Sequence, residues 1–125
     1  MRSLAVGKEN LDTIEWDENY FKFCDFENIS IEGGVIGSDF IDCSFKNVDW
    51  YWGLFSGANF VNCLFNDCVF RGSAFPDGKF VECSLVNCRF IQDNLAADCD
   101  FSRTIAYRCS ITTVRGSRPK FVEGI

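Results

Sequence analysis

At 125 residues the chain is sized for one domain, large enough to bury well over half of the surface its unfolded form exposes. A formal net charge of −6 excludes electrostatic attraction to nucleic acid or to an anionic bilayer as a driving interaction, and no window reaches the roughly 18 apolar residues of a membrane-crossing helix. There is no His, one Met and two Pro, but 14 Phe against three Trp and three Tyr; apolar content concentrated in one stiff side chain points to a repeat.

In chain order, residues 1–18 are predicted to cap one end of the repeat. Their opening, MRSLAVGKEN, lacks the apolar run of a signal peptide, so the expected location is cytoplasmic and the eight Cys are expected as free thiols, not as a disulfide framework. Residues 1–37 carry eight Asp/Glu against three Lys/Arg, whereas residues 89–125 carry six Lys/Arg against four Asp/Glu, making one end acidic and the other mildly basic.

From residue 19 to 113 the period is five. Leu11, Trp16, Phe21, Phe26, Ile31 and Ile36 lead in; the series then runs through Phe40, Phe45, Trp50, Phe55, Phe60, Phe65, Phe70, Phe75, Phe80, Leu85, Phe90 and Leu95, and resumes one residue late at Phe101, Ala106 and Ile111. A period of five fits neither the 3.6 of a helix nor the 2 of a strand; it fits a chain that turns a corner every five residues with the same position always inward. The two phase slips, one near Gly33, Gly34 and Gly37 and one near Ala96 and Ala97, are expected to cancel, with no long loop interrupting the coil.

Every Cys stands two residues before one of these apolar centres, and Val48, Gly53, Ala58, Ser73 and Gly78 fill the same position elsewhere. Asp93 is the exception. One small and one large inward residue per step suit a narrow tube whose axis is filled by the large one. Cys43, Cys63 and Cys83 are spaced by twenty residues, as are Cys68 and Cys88, which makes four sides; Cys24 is assigned to the first column and Cys109 to the second. The same count predicts a core ladder of Phe21, Phe40, Phe60, Phe80 and Phe101. Parallel pairing of coils about 4.8 Å apart gives a rod of about five coils.

The steps CDF, CSF, ANF, CLF, CVF, SAF, CSL, CRF and CDF resemble the A(D/N)LXX unit of the pentapeptide-repeat family, in a Cys- and Phe-rich version, over residues 19–113. The resemblance implies an all-β fold, a right-handed quadrilateral β-helix, with no active site of its own. Members of the family it resembles include quinolone-resistance proteins that protect gyrase, microcin- and toxin-immunity proteins, and proteins with no assigned role. Residues 114–125, VRGSRPKFVEGI, are too short and too broken by Gly116 and Pro119 for a helix; Phe121, Val122 and Ile125 are expected to cover the last coil or to meet a second copy in an end-to-end homodimer.

No catalytic residue, cofactor or metal is expected. The pairs Cys63/Cys68 and Cys83/Cys88 follow the repeat and not the short spacing of a zinc site, and nothing places a nucleophile beside a base. The surface is the remaining candidate. In the ladder wall the residues after each centre, Lys22, Ile41, Val61, Val81 and Ser102, read as an outward row, and Tyr51 and Trp52 read as outward aromatics of the kind that anchor interfaces. The function expected is a non-enzymatic protein-binding module with a protein partner, such as an immunity or antitoxin factor. The alternatives are a DNA mimic that protects a topoisomerase, through Asp39, Asp42 and Asp49, and a scaffold that stacks end to end.

Overall fold

Two inward positions per five-residue step leave the backbone no choice but to turn, and the computed structural model, which describes residues 2–95, 97–112, 115–116 and 122–123, shows where it does so. Side one stacks the parallel strands Tyr20–Lys22, Asp39–Ile41, Asn59–Val61, Lys79–Val81 and Ile105–Tyr107. Sides two and three share the corner-wrapping strands Asp25–Glu32 and Ser44–Tyr51; above them Leu64–Asn66 and Ser84–Val86 continue side two, and Val69–Arg71 and Arg89–Ile91 continue side three. Side four is joined by single bridges from Val35 through Leu54 and Ala74 to Asp100. The result is a right-handed β-solenoid of about four turns, fewer than the five coils counted from the sequence.

The corners have a common chemistry. Two residues after a centre the backbone is left-handed, with φ between 52° and 58° at Asp42, Asn47, Asn62, Asp67, Asp77 and Asn87. Asn and Asp tolerate that region better than other residues with a Cβ. Their side chains also bond from coil to coil: the Asn62 amide donates to Asp42 at 2.7 Å, Asn87 to Asp67 at 2.5 Å and Asn47 to Asn28 at 2.9 Å.

Inside, like rings stack on like. Phe21, Phe40, Phe60 and Phe80 follow one another at 4.9 Å between centroids, and Phe26, Phe45 and Phe65 at 4.7 and 4.8 Å. The small position holds the buried thiols; Cys43, Cys63, Cys68, Cys83 and Cys88 each donate to the carbonyl of a centre one coil below, as Cys63 does to Phe40 at 3.3 Å and Cys83 to Phe60 at 3.2 Å. Trp50 fills side three in a stack with Phe70 at 6.2 Å, and its buried indole N–H has no acceptor among the described residues.

The slips cancel in phase but not in length. The first removes one residue between Ile36 and Phe40, at Gly37, where an added Cβ would lie 2.6 Å from Asp17 Oδ1 and 2.9 Å from the Ser56 carbonyl. The second adds six residues, because the step after Phe90 reaches its next centre only at Phe101. Leu95 is therefore no core residue; it is 77% exposed. The ladder of side one accordingly ends differently from the expectation: Ala106, not Phe101, pairs opposite Phe80, while Phe101 stacks on Phe75 at 5.1 Å. Cys109 likewise joins the column of Cys43, Cys63 and Cys83, donating to the Phe80 carbonyl at 3.2 Å.

At the N-terminal end Ala5–Val6 pairs beneath Asp25 and Phe26, and Arg2 bridges to Lys22. The Trp16 ring, 5.4 Å from Phe26 and 5.6 Å from Trp50, covers the axis together with buried Ile14. At the other end Arg115–Gly116 pairs with Arg89 and Phe90, and Val122–Glu123 with Ile105 and Ala106. Phe121, Ile125 and the side chain of Val122, expected to cover this end or to meet a second copy, lie outside the described residues. No helix among them is long and apolar enough to cross a membrane.

Candidate functional site

The residues inserted after Phe90 form a short loop built around one carboxylate. Asp93 Oδ1 accepts from the backbone N–H groups of Leu95 at 2.8 Å and Ala97 at 2.9 Å, and the Asp93 N–H donates to the Ala97 carbonyl at 3.1 Å. The other oxygen, Oδ2, accepts from Trp52 Nε1 at 2.5 Å, and the Asn94 N–H donates to the Tyr51 hydroxyl at 3.2 Å. These donors, Ala97 first, hold the Asp93 carboxyl below its usual range. Gly72 gives the carboxylate room: a Cβ there would stand 2.7 Å from Asp93 Oδ2.

Tyr51 and Trp52 thus point outward as expected, but they grip the chain's own loop. Their rings meet edge to face at 4.3 Å, Tyr51 is half-buried, and Trp52 is 38% exposed. Trp52 occupies a left-handed corner position, φ 59°, which most other corners give to Asn, Asp or Gly. A bulky side chain there costs on the order of 1–2 kcal/mol, which the contacts with the loop offset. One step along, Leu54 (38% exposed) and its bridged neighbour Val35 (46%) add an apolar row on side four.

The second sequence-derived group lies elsewhere. Ile41, Val61 and Val81 are in register on side one, half-buried, with Lys22 below. The row ends in Tyr107 and not in Ser102, which instead donates its N–H and hydroxyl to Asp100 in a turn. Sides one and three are opposite walls, so the two groups do not make one surface.

The acidic residues considered for DNA mimicry are each met by the next coil. Asn59 donates to Asp39 at 2.7 Å, Asn62 to Asp42 at 2.7 Å, and Arg71 pairs with Asp49 at 3.4 Å. An open groove of about 490 Å³ along the corner from Phe23 to Glu82 includes that Asp42–Asn62 pair and Leu64. Burial pushes the Cys24 and Cys99 thiols up; Cys63 and Cys68 are raised first by hydrogen bonds with Cys43 and Cys88, then by burial. Among the described residues no group of three or more His, Cys, Asp or Glu is placed to hold a metal ion.

Sequence reasoning missed the loop, the exposed Leu95, and the Val35–Leu54 row. One signal for the loop was present: Asp93 stands where every neighbouring step has a small residue, and a carboxylate cannot be buried there without a partner.

A coil of five-residue steps, each with a small and a large inward position, defines the class by its fold: a right-handed β-solenoid of parallel strands. The family model for pentapeptide repeats matches residues 54–92 in eight copies, and the paired strands continue on both sides of that stretch. Among solved structures the fold is similar to trypsin-treated QnrB1 carrying R167E, a plasmid-mediated fluoroquinolone resistance protein, at TM-score 0.63 and 18% identity over 94% of this chain and 53% of that one. This chain therefore spans about half the length of that protein. The pentapeptide repeat protein Rfr23 from the cyanobacterium Cyanothece 51142 matches at TM-score 0.45 and 8% identity, over 76% of this chain and 89% of that one. No curated protein matches the sequence.

Proposed function

We propose that the chain is a non-enzymatic protein-binding module that occludes a protein partner, in the manner of an immunity or antitoxin factor. One observation carries this reading: large apolar side chains, Val35, Trp52 and Leu54, are exposed on adjoining positions of one edge. Apolar and aromatic groups grouped at a surface mark interfaces more than solvated walls.

The alternative of a DNA mimic acting on a topoisomerase is supported by the fold shared with QnrB1 and by the net charge of −6. Against it stands the engagement of Asp39, Asp42 and Asp49 by their own neighbours, which spends part of their capacity to imitate a phosphate row. The two readings separate in one pair of assays. DNA supercoiling by purified gyrase, with and without a fluoroquinolone, is measured beside affinity purification from the native host. Under the binding-module reading a Trp52→Ala/Leu54→Ala variant loses its partner while gyrase is unaffected by either protein. Salt-sensitive protection of gyrase, lost on charge reversal at the three aspartates and kept in the apolar variant, would sink it.

A further inference from the structure

We propose that Cys83 and Cys109 form an oxidation site, at which a peroxide closes the two thiols into a disulfide that locks the strand Ser110–Thr112 to the coil below it. The register of the solenoid sets the pair. Ser84–Val86 lies opposite Ser110–Thr112, so the residues just before those strands, Cys83 and Cys109, stand one above the other. A coil spacing of about 4.8 Å falls within the roughly 4.4–6.8 Å that a disulfide spans between Cα atoms. Cys109 Sγ already points at the coil of Cys83, donating to the Phe80 carbonyl at 3.2 Å. Cys83 donates to the Phe60 carbonyl at 3.2 Å and has to turn about its Cα–Cβ bond to meet it.

Other thiols in the column share that spacing, but two features single out this pair. Cys109 is half-buried, whereas Cys24, Cys43, Cys63 and Cys83 are buried, as are Cys68 and Cys88 on the next side. The strand after Cys109 is also held from below alone: among the described residues Ser110–Thr112 pairs with Ser84–Val86 and with nothing on its other edge. An end strand of this kind can shift to bring two sulfurs to bonding distance, where a strand clamped between two coils cannot. Cys99 supplies an internal control. It is half-buried too, but the bridge from Ala74 to Asp100 sets Ser73 beneath it, and no thiol.

The hydrogen bond from Cys109 holds the Cys83 thiol below its usual range, and proton transfer along that bond puts the charge on the outward sulfur. Cys109 Sγ attacks one oxygen of hydrogen peroxide; the S–O bond forms, the O–O bond breaks, and the departing hydroxide takes up a proton, leaving a sulfenic acid. Cys83, as the thiolate, then attacks the Cys109 sulfur. The S–S bond forms, the S–O bond breaks, and the second hydroxide leaves as water with the second proton. Two thiols lose two electrons and two protons, and the peroxide becomes two waters.

The test treats the reduced full chain with hydrogen peroxide under native conditions, blocks the remaining thiols with iodoacetamide after denaturation, and maps the digest by mass spectrometry. The expected product is a Cys83–Cys109 linked peptide from more than about half of the chains, with Cys43, Cys63 and Cys68 still open to the blocking reagent. Amide exchange at Ser110–Thr112 should slow by about tenfold or more on oxidation and return on adding dithiothreitol. Cys83→Ala keeps a residue that the small position accepts at Ala58, and its melting curve checks that the coil is intact. In that variant Cys109 should stop at the sulfenic acid, so that dimedone labels it at least about fivefold more than in the parent, while labelling of Cys99 is the same in both. Linkage of a different pair, linkage only after unfolding, equal dimedone labelling of Cys109 in parent and variant, or no oxidation at Cys109 overturns the proposal.

Discussion

Truncating Phe60 to Ala removes the middle ring of the side-one ladder. The ring is buried, lies 4.9 Å from Phe40 below and 4.9 Å from Phe80 above at interplanar angles of 7° and 15°, and meets Phe65 edge to face at 5.2 Å. The void cannot close easily, because Phe60 is paired in register with Phe40 and with Phe80, and moving one coil toward the axis breaks both ladders of backbone bonds. The loss should therefore fall within the 3–5 kcal/mol range for Phe→Ala, with little relief by relaxation. At roughly 3–5 °C per kcal/mol for a domain of this size, the melting temperature should drop on the order of 10–20 °C. Calorimetry and urea unfolding read the loss directly, and Phe60→Leu should recover a large part of it. A drop of less than about 2 °C for the Ala variant would mean that the ring is not clamped between its neighbours and that the register of the coils is wrong.

Trp50→Phe should change stability by less than about 1 kcal/mol, since the volume it loses is offset by removing a buried N–H without an acceptor; Trp50→Ala should cost several kcal/mol by urea unfolding. A thiol reagent added to the folded protein should modify Cys99 and Cys109 alone, slowly, because these are half-buried while the other six are buried. Rapid native labelling of four or more thiols contradicts the inward placement of the column.

How far the sequence can be read depends on which interactions set each feature. The centres and the small position are imposed by the steric demands of a narrow tube, repeated at every step, and so Phe60, Cys63 and Phe65 could be placed by counting. The ends of the count were not fixed in that way. An insertion of six residues and one of a single residue leave the same phase, so a period of five cannot tell them apart; Leu95 fell on a centre position by number and lies in solvent by structure. Phe101 and Cys109 were displaced to the wrong column for the same reason. The exposed pairing of Trp52 with Asp93 joins residues 41 apart in sequence, and no local pattern encodes it. The left-handed corners were legible in principle, as Asn, Asp and Gly two residues after most centres, although Glu18, Phe23, Trp52, Glu82, Arg103 and Arg108 hold the same conformation and depart from that composition.

Removing residues 93–98 tests whether the loop belongs to the coil or is only carried by it. The deletion joins Phe90-Ile91-Gln92 to Cys99-Asp100-Phe101, which reads step for step as Phe65-Asn66-Asp67-Cys68-Val69-Phe70 does. Gln92 would then take the left-handed corner that Gly72 and Trp52 take below it, at a cost of about 1 kcal/mol that Gln92→Asn should reduce. The Trp52 N–H loses Asp93, but at an exposed position water replaces that partner with little net loss. Shortening the connection returns some closure entropy, a few tenths of a kcal/mol. These terms nearly cancel, so the deletion variant should unfold cooperatively within about 1 kcal/mol of the parent, and the Gln92→Asn form should match or exceed it. A loss of more than about 3 kcal/mol would mean that the loop is part of the solenoid's own packing, and its hydrogen bonds to Trp52 and Tyr51 would then be read as a brace for the wall. If the shortened protein is as stable as the parent and binds its partner as tightly, the recognition surface lies away from the inserted residues, along Val35 and Leu54.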